Sequence, residues 1–419
     1  MSYSKKMLEA LSEGNLIAAE EQFDMALLHD LPEEKYQLAA YLFELGFLDE
    51  SEKLYLDLLT KEPEEDSIKI SLAEIAIENG ETAQASDWLS QIDSTSDVYV
   101  QSLLTQADLY QQLEIPEVSE QKLSEAKAIL PEEPIIDAAL AELYFSIEDY
   151  SRAITFYERL YQTDLSDVPL TINPAERLGV SLSRSGNFEE AITYLEEAVA
   201  EQKTSENQFQ LALTYYQLEE IERTIELLQG IKESDEDFMQ AYYPLAQVLV
   251  DEGRYAESEE VVIAGIDKNP YDINLYHLAS LISYQLGDVV QSKNYLNQAI
   301  ALEEDSDFSK LKLAELLLKE ESFDEVIELI GQLDNQGQGY AQWYLAQAYN
   351  GIEEFDNAAK AYDSAQAELT EEADFSRDYG LFLREEGKIN DAKRWLNHYL
   401  EMIPDDIEVA ELLQMMDGD

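Results

Sequence analysis

Three histidines and no cysteine make up the whole stock of soft or readily titrating side chains in this 419-residue chain. With no thiol there is no disulfide framework, no zinc ribbon and no thiolate nucleophile. His29, His277 and His398 stand more than a hundred residues apart from one another, so structural or surface roles are expected of them. No Gly-Lys-Ser or Gly-Lys-Thr triplet is present for a phosphate loop, and Gly337 with Gly339 does not extend to a dinucleotide fingerprint. A Ser-x-x-Lys match such as Ser124 with Lys127 carries no weight alone. The acidic run Glu303-Glu304-Asp305-Ser306-Asp307 lacks the glycine and spacing of a calcium loop. The chain is therefore expected not to be an enzyme, with no catalytic residues, no cofactor and no metal site.

The chemistry that remains is charge and aromatic surface. Asp and Glu number 90 against 27 Lys and Arg, a formal net charge of −63. Such a surface repels nucleic acid and anionic lipid and attracts basic partners, and it also keeps a long exposed chain soluble. A hydrophobic fraction of 45% argues against disorder. No window approaches 18 consecutive apolar residues, and Met1 to Gly14 carries two lysines with no apolar run behind them. Membrane insertion is not expected, and the cytoplasm is the expected location.

The positioning elements follow from an internal period. Short polar turns interrupt an apolar helical pattern at Gly14, Gly46, Gly80, Gly186, Gly253, Gly287 and Gly387, with degenerate equivalents at Glu114, Glu148, Glu219, Glu321 and Glu353. The steps between these twelve positions run from 32 to 38 residues, most of them 34. Before each turn a helix A carries apolar residues at i, i+4, such as Leu178 and Leu182 or Leu140 and Tyr144. Five residues after the turn comes a small residue (Ala19, Ser51, Ala85, Ala153, Ala191, Ser258, Ala358, Ala392), where a helix B must lie close against helix A. Four further on stands a bulky one, such as Phe23, Tyr157 or Leu195. Proline at 63, 131, 270 and 404 then ends helix B.

This pattern resembles the tetratricopeptide repeat family over nearly the whole chain, and Ala175 to Ala198 (AERLGVSLSRSGNFEEAITYLEEA) carries it best. The aromatic that often opens helix A is replaced by Lys35, Lys69 or Gln208, and the helix A glycine is usually alanine. The resemblance implies an all-α fold: an α-solenoid, a right-handed superhelix of about twelve helical hairpins with a C-terminal capping helix. The expected organisation is an N-terminal array over 1–165, a bend at 166–174, a second array over 175–405, and a cap with tail at 406–419. Ile407, Ala410 and Leu413 are expected to form the buried stripe of that cap.

In such arrays the A helices line the concave face, and ligand contacts come from inward helix A positions. Carried onto this chain, those positions hold the aromatics Tyr36, Phe43, Phe145, Phe209, Tyr216, Tyr243, Tyr284 and Trp343. Interleaved with them are Glu74, Asp108, Glu142, Asp251 and Glu315. Aromatics beside carboxylates suit cationic side chains. The expected function is a scaffold or adaptor that binds a basic or aromatic-rich protein or peptide; nucleic acid is not an expected partner. The alternative reading is a peptide-sensing regulator.

Overall fold

The computed structural model describes residues 2–166, 168 and 170–418. Among the described residues there are 25 α-helices, one short 3-10 turn at Met239–Ala241 and no strand. In chain order the helices form twelve helix-turn-helix repeats, from Tyr3–Ser12 with Leu16–His29 to Ala373–Glu385 with Ile389–Met402, followed by Ile407–Gly418. No helix is long and apolar enough to cross a membrane. The chain divides into two compact units, residues 1–220 and 221–419. The loop expected as a bend therefore lies inside the first unit, where helix Pro174–Arg184 packs on Tyr150–Gln162 as successive hairpins do elsewhere. Residues 167 and 169 of that loop lie outside the described residues.

The period read from the sequence has a backbone cause. All seven turn glycines, with φ between 68° and 86°, and all five turn glutamates, with φ between 56° and 63°, are left-handed. Those twelve are the same positions that mark the sequence period. At each, the following residue's N–H returns to the carbonyl five residues earlier, as in Asn187 to Leu182 (2.9 Å) and Asp149 to Tyr144 (2.8 Å). This Schellman closure satisfies helix A's last carbonyls and reverses the chain. Helix B then starts at once, in several cases capped by its own turn, as where Asn15 accepts from Ala18 N–H and Asp288 from Gln291 N–H.

The small residue five positions on is buried in every repeat; Ala85, Ala153 and Ala191 are fully buried. Ser119, Thr224, Ser292 and Val326 fill the same position in the repeats whose pattern is weakest in sequence. At three of the serines the hydroxyl reaches helix A: Ser51 Oγ donates to the Ala39 carbonyl at 2.8 Å, Ser258 Oγ donates to the Ala246 carbonyl at 2.7 Å, and Ser292 Oγ lies 2.8 Å from Ser280 Oγ. The helices approach so closely at Gly179 that an added Cβ would lie 2.7 Å from Leu195 Cγ. Each of the four prolines, such as Pro63 after Lys61, stands two residues beyond its helix.

Two substitutions of the usual pattern find physical answers. Lys35, 2% exposed where an aromatic is common, bonds the Leu27 carbonyl and pairs with Asp57 at 2.6 Å. Lys69 pairs with Asp66 at 2.7 Å. In the final helix the expected stripe is shifted. Val409 and Leu413 are buried and Met416 packs with them, whereas Ile407 is 71% exposed. The reason is that Val409 and Leu413 keep the i, i+4 spacing, while Ile407 opens the helix and faces away from the stack.

Two outcomes test this packing. Ala191→Asp puts an unpaired carboxylate into a closed helix crossing and is expected to cost about 3–5 kcal/mol. Hydrogen exchange should then quicken first in the hairpin itself and its direct neighbours, since each hairpin is supported mainly by the adjacent ones; uniform loss along the chain would contradict this. Glu148→Gly relieves a left-handed side chain and is expected to raise stability by about 0.5–1 kcal/mol, whereas Gly186→Ala in the next turn should lower it, both read from denaturant midpoints.

Candidate functional site

The A helices of the third, fourth and fifth hairpins touch one another in sequence, so their outward faces form a row. The position six residues before each turn lies on that face. In the third to fifth hairpins it holds Glu74, Asp108 and Glu142, on helices Asp66–Glu78, Tyr99–Gln112 and Pro134–Ser146. The three behave differently because only one of them has a cation.

Glu142 accepts from the Tyr157 hydroxyl at 2.5 Å and pairs with Arg177 Nε at 3.1 Å. The Arg177 guanidinium also lies 4.9 Å from the centre of the Phe145 ring. Phe145 itself is braced edge-on by Tyr150 and Tyr157. One arginine of the chain is thus gripped by a carboxylate and an aromatic face together, the arrangement the sequence pairs suggested for a partner's cation.

Among the described residues no lysine or arginine pairs with Glu74 or Asp108. Burial pushes the Glu74 carboxyl up to about 7; the Asp108 charge adds to this and the Thr105 hydroxyl opposes it. Desolvation pushes Asp108 up to about 6 even though its surface stays open to solvent, because the crowded helix face displaces much of its hydration. Nearby, burial raises Tyr55 to about 12, and Tyr36 stands edge-on to it with ring centres 5.6 Å apart. Phe43 is half-buried against the first unit's core.

In the second unit the A-helix face opens into cavities. One of about 340 Å³ is lined by Tyr243, Tyr284 and Glu315, three of the residues singled out in the sequence, together with Phe308, Lys312 and Lys319. Another of about 770 Å³ continues from Phe308, Lys312 and Glu315 to Tyr340, Trp343 and Tyr344. Glu315 pairs with Lys319 at 2.8 Å and with Lys312 at 3.8 Å. Asp251 is exposed and accepts from Gln247 Nε2 at 2.8 Å.

Other expected contact residues are more enclosed. Phe209 is 8% exposed, and Trp343, at 9%, sends its indole N–H to Asp378 at 3.0 Å and meets Phe375 edge-on. Tyr216 is half-buried at the end of its helix. Inward helical spacing cannot separate an aromatic that faces the groove from one that wedges between two A helices, since both stand on the same stripe. Phe308, 58% exposed, and His277, whose Nε2 lies 2.7 Å from Ser309 Oγ, were not expected at the site. Phe308 stands at the start of its helix, where the apolar stripe gives no signal.

The model of YpiA-like C-terminal tetratricopeptide repeats matches residues 340–406, and that of YpiA-like tetratricopeptide repeats matches 111–165. Residues 184–265 match the model of anaphase-promoting complex, cyclosome, subunit 3. The TPR repeat-containing protein YpiA of Bacillus subtilis (strain 168) is 34% identical over 388 residues, 92% of this chain and 91% of YpiA. Among solved structures, the APC/C hetero-tetramer Cut9-Hcn1 aligns with 98% of this chain and 95% of its own at 13% identity and TM-score 0.45. YrrB, described as a TPR protein with an unusual peptide-binding site, aligns with 45% of this chain and 95% of its own at 19% identity and TM-score 0.37.

The raised carboxyls make the first unit's stability depend on pH. An acid whose folded value lies above its unfolded one binds more protons when folded, so ionisation penalises the fold as pH rises. For Glu74 the window runs from 4.5 to about 7, and for Asp108 from 3.8 to about 6. The wild-type chain is therefore expected to lose stability from pH 5 to 8 beyond any loss from general charge repulsion. Glu74→Gln with Asp108→Asn should remove that excess, of the order of 1–2 kcal/mol and carried mainly by Glu74, since solvent screens the exposed Asp108, in thermal melts at both pH values. Parallel pH profiles for the two proteins would count against an unpaired carboxyl pair.

Proposed function

Because this chain belongs to the YpiA-like family of tetratricopeptide repeat proteins, we propose that it is a cytoplasmic, non-catalytic scaffold whose A-helix face takes basic, aromatic-bearing segments of partner proteins. The tetratricopeptide fold is in general a protein-interaction fold, and the finer reading concerns what this copy selects. Its main support is the contrast between Glu142, satisfied by Arg177, and the pair Glu74 and Asp108, which have no cation of their own. A lysine or arginine brought by a partner would relieve the Glu74–Asp108 repulsion and find the exposed Tyr36 ring, itself braced by the buried Tyr55, on the neighbouring hairpin. The large negative charge would speed its arrival over long range.

The test is binding kinetics of the full chain with a peptide of alternating arginine and phenylalanine, at two salt concentrations. Glu74→Gln with Asp108→Asn is expected to weaken binding about tenfold, or 1.4 kcal/mol, and to flatten its salt dependence. Glu189→Gln with Glu190→Gln removes the same charge from an exposed helix B start and should matter little. Equal losses from both pairs would reduce the acidity to a solubility device.

A further inference from the structure

The second unit carries a feature that runs against the composition of the chain. Acids outnumber bases 90 to 27 overall, yet the 340 Å³ cavity is lined by two lysines, Lys312 and Lys319, and a single carboxylate, Glu315. One carboxylate cannot neutralise two ammonium groups. Each lysine keeps donors to spare, being about half exposed, 49% and 51%. Their ammonium heads lie over aromatic rings, with Lys312 Nζ 5.6 Å from the centre of the Phe308 ring and Lys319 Nζ 5.7 Å from that of Tyr284.

Their position is as informative as their charge. Phe308, Lys312, Glu315 and Lys319 line both the 340 Å³ cavity and the 770 Å³ cavity, so they form the ridge between two recesses. Apolar surface is available on both sides, from Leu281, 43% exposed, in the first and from Tyr340, 38% exposed, in the second. The far wall of the second cavity is acidic again, with Glu372 and Asp374. Positive charge is confined to the ridge.

We propose that the Lys312–Lys319 ridge seats a side-chain carboxylate from the middle of an extended partner segment that places one apolar side chain in each flanking cavity. The proposal rests on the protein-binding reading above but uses the other unit and the opposite charge. A chain end is the poorer fit: a terminal carboxylate on the ridge would leave one of the two recesses unfilled. With neighbouring helices about 9 Å apart, the segment spans roughly eight residues at about 3.3 Å each. Apolar burial on both sides would hold it, and the central acid would fix its register and reject basic competitors.

The experiment uses the full chain and an acetylated, amidated eight-residue peptide with phenylalanine on either side of a central glutamate, followed by fluorescence anisotropy. The glutamate peptide is expected to bind at least tenfold more tightly than its central-glutamine form, with the central-lysine form weakest. Lys312→Gln with Lys319→Gln should bring the glutamate peptide down to the glutamine level, and Phe308→Ala should weaken both. These side chains are exposed, and unchanged circular dichroism melts verify that the variants fold. Glu74→Gln with Asp108→Asn should leave this peptide unaffected, so failure here is separable from failure of the basic-segment reading. Equal binding of the three peptides, no effect of the lysine variants, or no binding at millimolar peptide would overturn the proposal. So would a strict need for a free C-terminal carboxylate, which would make the ridge a seat for chain ends.

Discussion

One left-handed residue per repeat is the constraint on which everything else in this molecule rests. It stops helix A, returns two amides to helix A's last turn, and launches helix B in a fixed direction. Once that direction is set, the residue five positions on meets helix A at its closest approach and must be small, and the residue four beyond must fill the space beside it. Glycine meets the backbone demand without strain, and seven turns use it. The five glutamates hold the same conformation at a cost of about 1 kcal/mol each, carried by the packing that both helices contribute.

The second theme is how a chain with −63 of formal charge holds its carboxylates. With few lysines and arginines to share, it uses tyrosine. Hydroxyls of Tyr99, Tyr144, Tyr161 and Tyr215 donate to Glu125, Glu120, Glu197 and Glu196, and those of Tyr379 and Tyr399 donate to Asp363 and Asp406. The rings of Tyr144, Tyr215, Tyr379 and Tyr399 are buried while their hydroxyls reach the edge, so one residue serves both core and surface. This use of tyrosine also separates satisfied acids from unsatisfied ones. Glu196 and Glu197 are tied down on helix B by tyrosines, while Glu74 and Asp108 face each other on the A-helix row.

The two units therefore present different chemistry on equivalent faces. In the first, Glu74, Asp108 and Glu142 succeed one another, and of these three, among the described residues, only Glu142 meets an arginine. In the second, the same face widens into cavities whose dividing ridge is cationic. On the binding reading proposed above, the repeat supplies the platform, and the few residues that depart from the repeat supply the selectivity.

The helical hairpins, their number and their boundaries were legible in the sequence because they follow from local rules. A left-handed turn, a small residue at fixed spacing and a terminating proline each act within one or two helical turns, and each leaves a residue-type signature. The acidic stripe at Glu74, Asp108 and Glu142 was legible for the same reason, since a period of 34 brings equivalent positions to one face. What the tertiary structure alone decided is which of those inward side chains remain available. Phe209 and Trp343 share a stripe with Tyr243 but are buried between helices, and Glu315 is shared by two lysines while Glu74 has none. The shift of the final helix's buried stripe to Val409 and Leu413 belongs here too. Whether a side chain on a helix face meets solvent, a neighbour or a counter-charge depends on the next hairpin's position and contents, and no spacing rule within a single helix carries that information.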